Sequence, residues 1–261
     1  MKNTSLFTLI GGLVFCLVSY TGFAQSTVRL SYANSNPLEQ MGANIRQMHG
    51  VSLEYSYQLP RSPFSIGIDL GFSNYGTKKI DDFTVVAEGQ MPSTYDLTIS
   101  NNTCYAYFTT RMNLTRAGFI QPYLSARLGV QEYHTDFTLE NPNVNHTTDC
   151  PDPVDEGTVL SDVAMAVGFG FGVNVDLGKA FKFDLGKNRL FFNVEANYLA
   201  GGSVQYMSLN APINANSTPQ NTDIPGLAPG VRTLNHQYHS GNVYRSAIRM
   251  YDIRIGMGFS F

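Results

Sequence analysis

The chain has 261 residues, a formal net charge of -3 and a charged fraction of 14%, against about 25% in an average soluble domain. This near-neutral balance argues against a basic, nucleic-acid-binding surface. Glycine, tyrosine and phenylalanine are abundant, with 24, 15 and 17 copies, and tryptophan is absent. Few charges and many aromatic side chains favour a strand-rich exported protein.

Residues 1–24 have the pattern of a secretory signal peptide. One early cation, Lys2, precedes an apolar stretch that ends near Val18, and the segment closes on Ala24 in a small-x-small pattern. We expect cleavage after Ala24, which leaves 25–261 as a single domain. This remainder lacks the roughly 18 uninterrupted apolar residues of a transmembrane helix, so any membrane crossing has to be made by strands.

The domain is dominated by a two-residue alternation of apolar with polar or small side chains, which is typical of strands with two different faces. The alternation predicts eight strands, at 27–34, 48–59, 64–75, 101–114, 119–135, 158–177, 188–205 and 242–261. The first is short, and it is assigned because the strand after it needs an antiparallel partner.

The connections between these strands alternate in length. Tight connections with turn-forming residues lie at 60–63, 115–118 and 178–187, and long polar ones lie at 77–100, 137–157 and 206–241. An even number of antiparallel strands with short turns on one side and long loops on the other is typical of an outer-membrane barrel. The predicted fold is therefore all-β, an eight-stranded antiparallel transmembrane barrel with short periplasmic turns and long extracellular loops.

The two faces of the sixth strand indicate which side of the barrel meets lipid. One face carries Val163, Met165, Val167, Phe169, Phe171, Val173 and Val175, and the other carries Ala164, Ala166, Gly168, Gly170, Gly172 and Asn174. A soluble barrel turns its apolar face inward, whereas a membrane barrel turns it outward. Glycines turned inward leave room in a lumen that, at eight strands, side chains just fill. We therefore expect the large apolar row to face lipid.

Charged residues lie on the strand faces that are predicted to line the lumen. Four are cationic and four are anionic, namely Arg29, Arg111, Arg127, Arg254, Glu54, Asp69, Glu195 and Asp252. Ionisable groups at membrane depth need partners or water. Equal numbers favour mutual pairing and a plugged lumen without an open pore, and separately hydrated side chains are the alternative.

The ending YDIRIGMGFSF places apolar side chains at every second position. These are Tyr251, Ile253, Ile255, Met257, Phe259 and Phe261. With the signal peptide and the eight alternating segments, this ending resembles the small eight-stranded outer-membrane barrels of Gram-negative bacteria, the OmpA-type transmembrane domain and the OmpX-like proteins. The resemblance implies an outer-membrane location, contact with lipid and lipopolysaccharide, and recognition of the ending by the outer-membrane assembly machinery. A peptidoglycan-binding domain like that of OmpA is not expected, so periplasmic anchoring is not implied.

Cys104 and Cys150 remain after the expected cleavage, as an even pair in an oxidising compartment. Cys104 begins the predicted fourth strand at its long-loop end, and Cys150 lies in the next long loop. We therefore predict a disulfide between them on the outer side, with two free thiols as the alternative.

Arg245 and Arg249 fall on the outward face of the last strand, just beyond the ~10 residues that cross the lipid. Guanidinium groups match phosphate in a bidentate geometry, so this pair is a candidate contact for lipopolysaccharide phosphates. Solvated arginines on a strand that rises above the membrane are the alternative.

No cofactor or metal is predicted. The run GFGFGVN lacks the spacing and the lysine of a phosphate-binding loop, and the acidic loop at 140–156 lacks the EF-hand spacing. Two histidine pairings can be drawn at the rim, His239 with Ser240 and His134 with Asp136, but no spacing supports catalysis.

The sequence therefore predicts a non-catalytic outer-membrane protein. Its barrel is a structural anchor, and its loops are an interaction platform for an extracellular or envelope partner. Two alternatives stay open: an outer-membrane enzyme with a histidine at the rim, and a soluble exported barrel that binds a ligand.

Overall fold

The computed structural model describes residues 25–85, 93–115, 117–141, 154–183, 185–208, 231–235 and 240–261. The expected signal peptide, residues 1–24, lies outside the described residues. The strands are β1 (Ser26–Pro37), β2 (Met48–Gln58), β3 (Phe64–Val85), β4 (Ser93–Asn113), β5 (Ile120–Glu140), β6 (Asp155–Asp176), β7 (Arg189–Ser208), β8 (Val231–Asn235) and β9 (Ser240–Ser260). Two short helices, α1 (Glu39–Asn44) and α2 (Leu177–Phe181), follow β1 and β6. None of the described helices has the length and apolar character needed to cross a membrane.

The strands form one antiparallel sheet that closes on itself. Each strand from β1 to β6 pairs with the next one along the chain, β7 pairs with β9, and β9 returns to pair with β1. Along this closing seam, Val28 lies across from Phe259 and Pro37 across from Met250. β8 pairs with the first residues of β9, beyond the end of the seam, so the barrel itself has eight strands. The predicted eight-stranded antiparallel barrel is confirmed.

The two ends of the barrel differ. We call the end that carries the connections 59–63, 114–119 and 177–188 the short-turn end, and the opposite end the long-loop end. The last connection at the short-turn end contains α2. The side chain of Asp176 caps this helix by accepting a hydrogen bond from the backbone N–H of Lys179. This cap stabilises the start of the short helix.

The strands at the long-loop end are longer than predicted. β3 extends to Val85 and β4 begins at Ser93, so most of the expected loop at 77–100 is a hairpin. The expected loop at 137–157 is shortened in the same way by β5 and β6. The extended hairpins bury an apolar cluster, formed by Leu97, Ile99, Phe137 and Leu139. The predicted boundaries were wrong here because the apolar residues of these stretches lie on the inward face, whereas the large apolar residues nearer the middle of the barrel lie on the outward face.

β6 and β7 separate toward the long-loop end. Their ladder stops at the pair of Ala166 with Gly201, and β7 carries a register shift against β9 beside this point. Beyond the separation, the backbone N–H of Gln205 donates to the carboxylate of Asp162 at 2.7 Å. A side-chain acceptor thus replaces a missing ladder bond, and the outer part of the barrel divides into a β3–β6 sheet and a β7–β9 sheet.

Large apolar side chains point away from the barrel axis, as predicted. In β6, Phe169 and Phe171 are both 65% exposed, whereas Ala166 on the opposite face is 2% exposed. Gly168 on that inner face lies across the ladder from Arg127. The small face of β6 therefore leaves lumen space beside a large charged side chain.

Candidate functional site: the filled lumen

All eight residues predicted for the lumen charge network are buried, and none is more than 4% exposed. They project from every barrel strand except β6, whose lumen face is the glycine row. The period-two alternation accounts for their inward direction, since each lies on the same face as its small or polar neighbours two residues away.

The eight side chains form one connected path in which the sign of the charge alternates. The path runs through Arg29, Glu54, Arg111, Glu195, Arg127, Asp69, Arg254 and Asp252. The nitrogen–oxygen distances along it lie between 2.5 and 3.1 Å. An unpaired buried charge is strongly unfavourable, whereas each charge here has an opposite neighbour at hydrogen-bond distance. The path is therefore electrically neutral and internally bonded.

Glu195 is a branching point of this path. Its carboxylate accepts from Arg111 Nη2 and Arg127 Nη2, each at 2.8 Å. The Ser125 and Tyr123 hydroxyls also donate to it, at 2.7 and 3.1 Å. Both carboxylate oxygens are thereby occupied, so loss of this one charge would leave two buried guanidinium groups undercompensated.

Three arginines of the path stack on aromatic rings, and each ring packs against a glycine of a neighbouring strand. The Cζ atom lies 4.8 Å from the ring centroid for Arg111 on Tyr123, 5.2 Å for Arg254 on Tyr105 and 5.6 Å for Arg29 on Phe191. The glycines against which these rings pack are Gly172, Gly71 and Gly258, in the same order. In each stack the aromatic residue and the glycine are cross-strand partners. Glycine lets the ring approach the neighbouring backbone closely, and the ring face then attracts the guanidinium. Sequence reasoning missed these stacks, because alternation places a residue on a face but does not pair it across strands.

A cluster of buried apolar residues, called the apolar plug below, lies between the charge path and the long-loop end. Its buried members include Met41, Ile45, Met48, Tyr133, Leu199, Tyr206, Ile248 and Met250. The first two come from α1 and the residue that follows it, so the connection between β1 and β2 folds into the barrel mouth. Sequence reasoning did not assign this plug, although the i, i+4 spacing of Met41 and Ile45 between β1 and β2 was an available helical signal.

Polar contacts hold α1 in this position. Asn44 donates from its side chain to the Tyr206 hydroxyl at 3.0 Å. The backbone carbonyl of Asn44 accepts from the Ser208 hydroxyl at 2.7 Å. The helix end is therefore fixed to β7 while its apolar side faces the lumen.

Cys104 lies on the outward face of β4, across the ladder from Glu132. Its expected position at the start of the strand was wrong, because β4 begins at Ser93. Cys150 lies outside the described residues, so the disulfide stays a prediction.

Arg245 and Arg249 both lie on the outward face of β9. Arg249 borders a shallow groove of about 330 Å³ on the outer surface, at the point where β6 and β7 separate. The groove is otherwise lined mainly by apolar groups, from Leu128, Met165, Val167, Ala200, Gly201 and Gly202. A cation therefore stands beside an apolar groove on the outward surface.

The residues predicted as an assembly signal form one outward row on β9 and the residue after it. Each of the six is between 41 and 54% exposed. β9 pairs with both β1 and β7, so this row occupies the strand that closes the barrel.

The rim histidine pairing drawn from the sequence is partly present. His134 Nε2 lies 3.3 Å from Asp136 Oδ2. Ser161 lies across the ladder from His134, but its hydroxyl donates to Glu132 at 2.7 Å. Within the described part of the chain, no serine bonds to His134 and no group of three metal-ligating side chains occurs. His239 lies outside the described residues.

No protein-family model matches the chain, and no curated protein sequence matches it. Among solved structures, the chain is similar to Neisserial surface protein A, with 9% identity, a TM-score of 0.36, and coverage of 91% of this chain and 95% of that one. It is similar to Ail, the attachment invasion locus protein of Yersinia pestis, solved with the heparin analogue sucrose octasulfate (10% identity, TM-score 0.34, 91% and 97% covered). It is also similar to the N-terminal β-barrel domain of Pseudomonas aeruginosa OprF (14%, 0.33, 91% and 99%). The fold assigned to this chain rests on its own strand pairing.

Proposed function

We propose that this protein is an integral outer-membrane protein whose barrel anchors an interaction platform, and that it is not an enzyme. One observation carries the proposal: the barrel has large apolar side chains outside and a neutral path of eight charges inside. Soluble proteins rarely expose contiguous apolar patches beyond a few hundred Å². In a bilayer, the same surface meets lipid.

The height of the apolar belt supports this placement. In β9 the belt runs from Tyr251 to Phe259, which matches the span of about 9–11 residues of a tilted transmembrane strand. Aromatic pairs mark its two edges, Tyr198 with Tyr251 and Phe259 with Phe261, with ring centroids 5.6 and 6.1 Å apart. Aromatic girdles of this kind are typical of barrels in which short turns face the periplasm, and we assign that orientation here.

We further propose that the lumen does not conduct. The apolar plug and the charge path succeed each other along the axis, and both consist of buried side chains. Planar-bilayer recordings of the purified protein should show no large, steady conductance. A large, steady conductance would contradict the proposed plug.

The interaction surface is proposed at the long-loop end. The β3–β6 and β7–β9 sheets rise beyond the apolar belt and give a rigid base for the connections between them. Binding functions are commonly carried by loops on a rigid scaffold. The partner is an extracellular or envelope component. Because β7 extends to Ser208, the candidate for contacting it within the expected loop at 206–241 is the polar segment 209–230.

Two further parts of the proposal involve β9. Arg245 and Arg249 contact lipopolysaccharide phosphates, since they lie outward beyond the belt and Arg249 stands beside an apolar groove. The outward row from Tyr251 to Phe261 is recognised by the outer-membrane assembly machinery when the barrel closes.

Fractionation combined with a gel shift tests the membrane placement. The protein should stay with detergent-extracted membranes after osmotic shock, and the unboiled sample should migrate differently from the boiled one because the folded barrel resists detergent. Release by osmotic shock would instead support a soluble exported binding barrel. Absence of any shift on boiling would contradict the folded barrel in the membrane.

A further inference from the structure

A polar cavity lies at the short-turn end of the lumen, below the charge path. Its volume is about 160 Å³, space for about five water molecules at ~30 Å³ each. The residues that matter for its chemistry are Arg29, Arg111, Arg189, Gln58, Asn113 and Gln121. Arg189 and the three amide residues are partly exposed, so the cavity is reached from the short-turn end.

The lining of this cavity is cationic. Three arginines contribute to it, and no carboxylate side chain does so among the described residues. Glu54 and Glu195, the carboxylates that pair with Arg29 and Arg111, are not part of the lining. Arg29 and Arg111 therefore bring positive charge to the lining, whereas the side-chain amides of Gln58 and Asn113 already donate within the protein.

Several donors of the lining arginines have no acceptor. Arg111 Nε and Nη1 and Arg29 Nε are buried and have no hydrogen-bond partner within the described parts of the chain. Arg189 forms no ion pair with any described side chain. Unsatisfied donors on charged groups are unfavourable, so an acceptor with negative charge would be stabilised here.

We propose that this cavity binds one oxyanion, a phosphate or carboxylate group presented from the short-turn side. Arg29 and Arg111 hold it from the lumen side, and Arg189 holds it from the opening. Guanidinium groups donate to both anion classes in bidentate geometry. The site is additional to the anchoring role and depends only on the folded barrel.

A titration of the folded protein in detergent micelles tests the site. Inorganic phosphate is added at constant ionic strength and pH, and the side-chain Nε–Hε resonances of Arg29 and Arg111 are followed by NMR. Saturable shifts of these resonances are expected. A parallel titration with acetate distinguishes a site for either oxyanion from one that prefers phosphate.

Two variants with the same charge change provide the control. Arg189→Gln should weaken phosphate binding at least about tenfold, the loss expected for one hydrogen bond between charged groups. Lys187→Gln removes a cation from the same end but outside the cavity, and it should leave the affinity unchanged. Gln121→Glu adds a carboxylate to the lining and should abolish saturation.

Folding of each variant is checked by its shift on boiling. Shifts that rise linearly without saturation in the wild-type protein would overturn the site. Equal losses in Arg189→Gln and Lys187→Gln would also overturn it, because they would indicate attraction by net charge alone.

Discussion

Tyr123 lies directly across the β5–β6 ladder from Gly172, and its ring occupies the space that a Cβ at residue 172 would need. Arg111 covers the same ring. The glycine thus sets the position of an aromatic ring, and the ring sets the position of a charge in the lumen. This coupling explains why a glycine-rich strand belongs in a barrel that is filled with side chains.

Gly172→Leu should therefore destabilise the barrel. The new side chain would displace Tyr123 and its arginine, and overpacking of this kind typically costs about 1–3 kcal/mol. Urea unfolding of the protein in detergent micelles, followed by circular dichroism, gives the free energy of unfolding. Phe171→Leu is the matched control, since residue 171 points outward and should tolerate the change. Equal stability of the two variants would contradict the inward assignment.

Glu195→Gln should be strongly destabilising. It leaves Arg111 and Arg127 with too little negative charge in a buried site, and breaking a buried pair in this way costs about 3–5 kcal/mol. The same unfolding experiment measures it.

The control for this variant is an ion pair that is partly exposed to solvent. Lys79 bonds to Asp96 at 3.0 Å and to Asp81, and these hydrogen bonds raise the pKa of Lys79. Asp96→Asn should change stability little, because solvent screens the pair. A Glu195→Gln protein as stable as Asp96→Asn would show that the lumen charges are hydrated independently.

Met41→Ala should open space in the apolar plug. Met41 is fully buried and its sulfur lies 3.9 Å from the Tyr133 hydroxyl. Truncating a buried methionine typically costs about 2–5 kcal/mol. Gln40→Ala, one residue earlier on the exposed side of α1, should be nearly neutral. An equally small effect at both positions would indicate that α1 does not fill the barrel mouth.

The predicted disulfide between Cys104 and Cys150 is tested by alkylation. The protein extracted without reductant should take up no alkylating label, and reduction should expose two thiols. Intact-mass measurement distinguishes the states. Two labelled thiols before reduction would refute the disulfide.

Arg249→Gln should reduce retention of lipopolysaccharide during purification. Arg249 lies beside the outer apolar groove, so the arginine can bind a phosphate while the groove binds an acyl chain of the same lipid. Arg61→Gln at the short-turn end is the control, because it removes the same charge far from the groove. Bound lipopolysaccharide is quantified after extraction from purified protein, and equal retention in both variants would argue against the contact.

The sequence by itself determined the strand faces. Alternation has a period of two, so residues such as Phe169 and Arg127 were assigned to opposite sides of the sheet without knowledge of any partner. The number of barrel strands and their antiparallel order followed from alternation and turn residues. The proposed membrane placement then followed from which face is apolar.

Only the tertiary structure decided how the lumen is filled. The order of charges from Arg29 to Asp252, the stacking of Tyr123 on Gly172 and the insertion of Met41 depend on cross-strand register and on the path of a short helix. Neither is encoded in the periodicity of a single strand, because register is fixed only when all eight strands close and their side chains compete for one narrow interior.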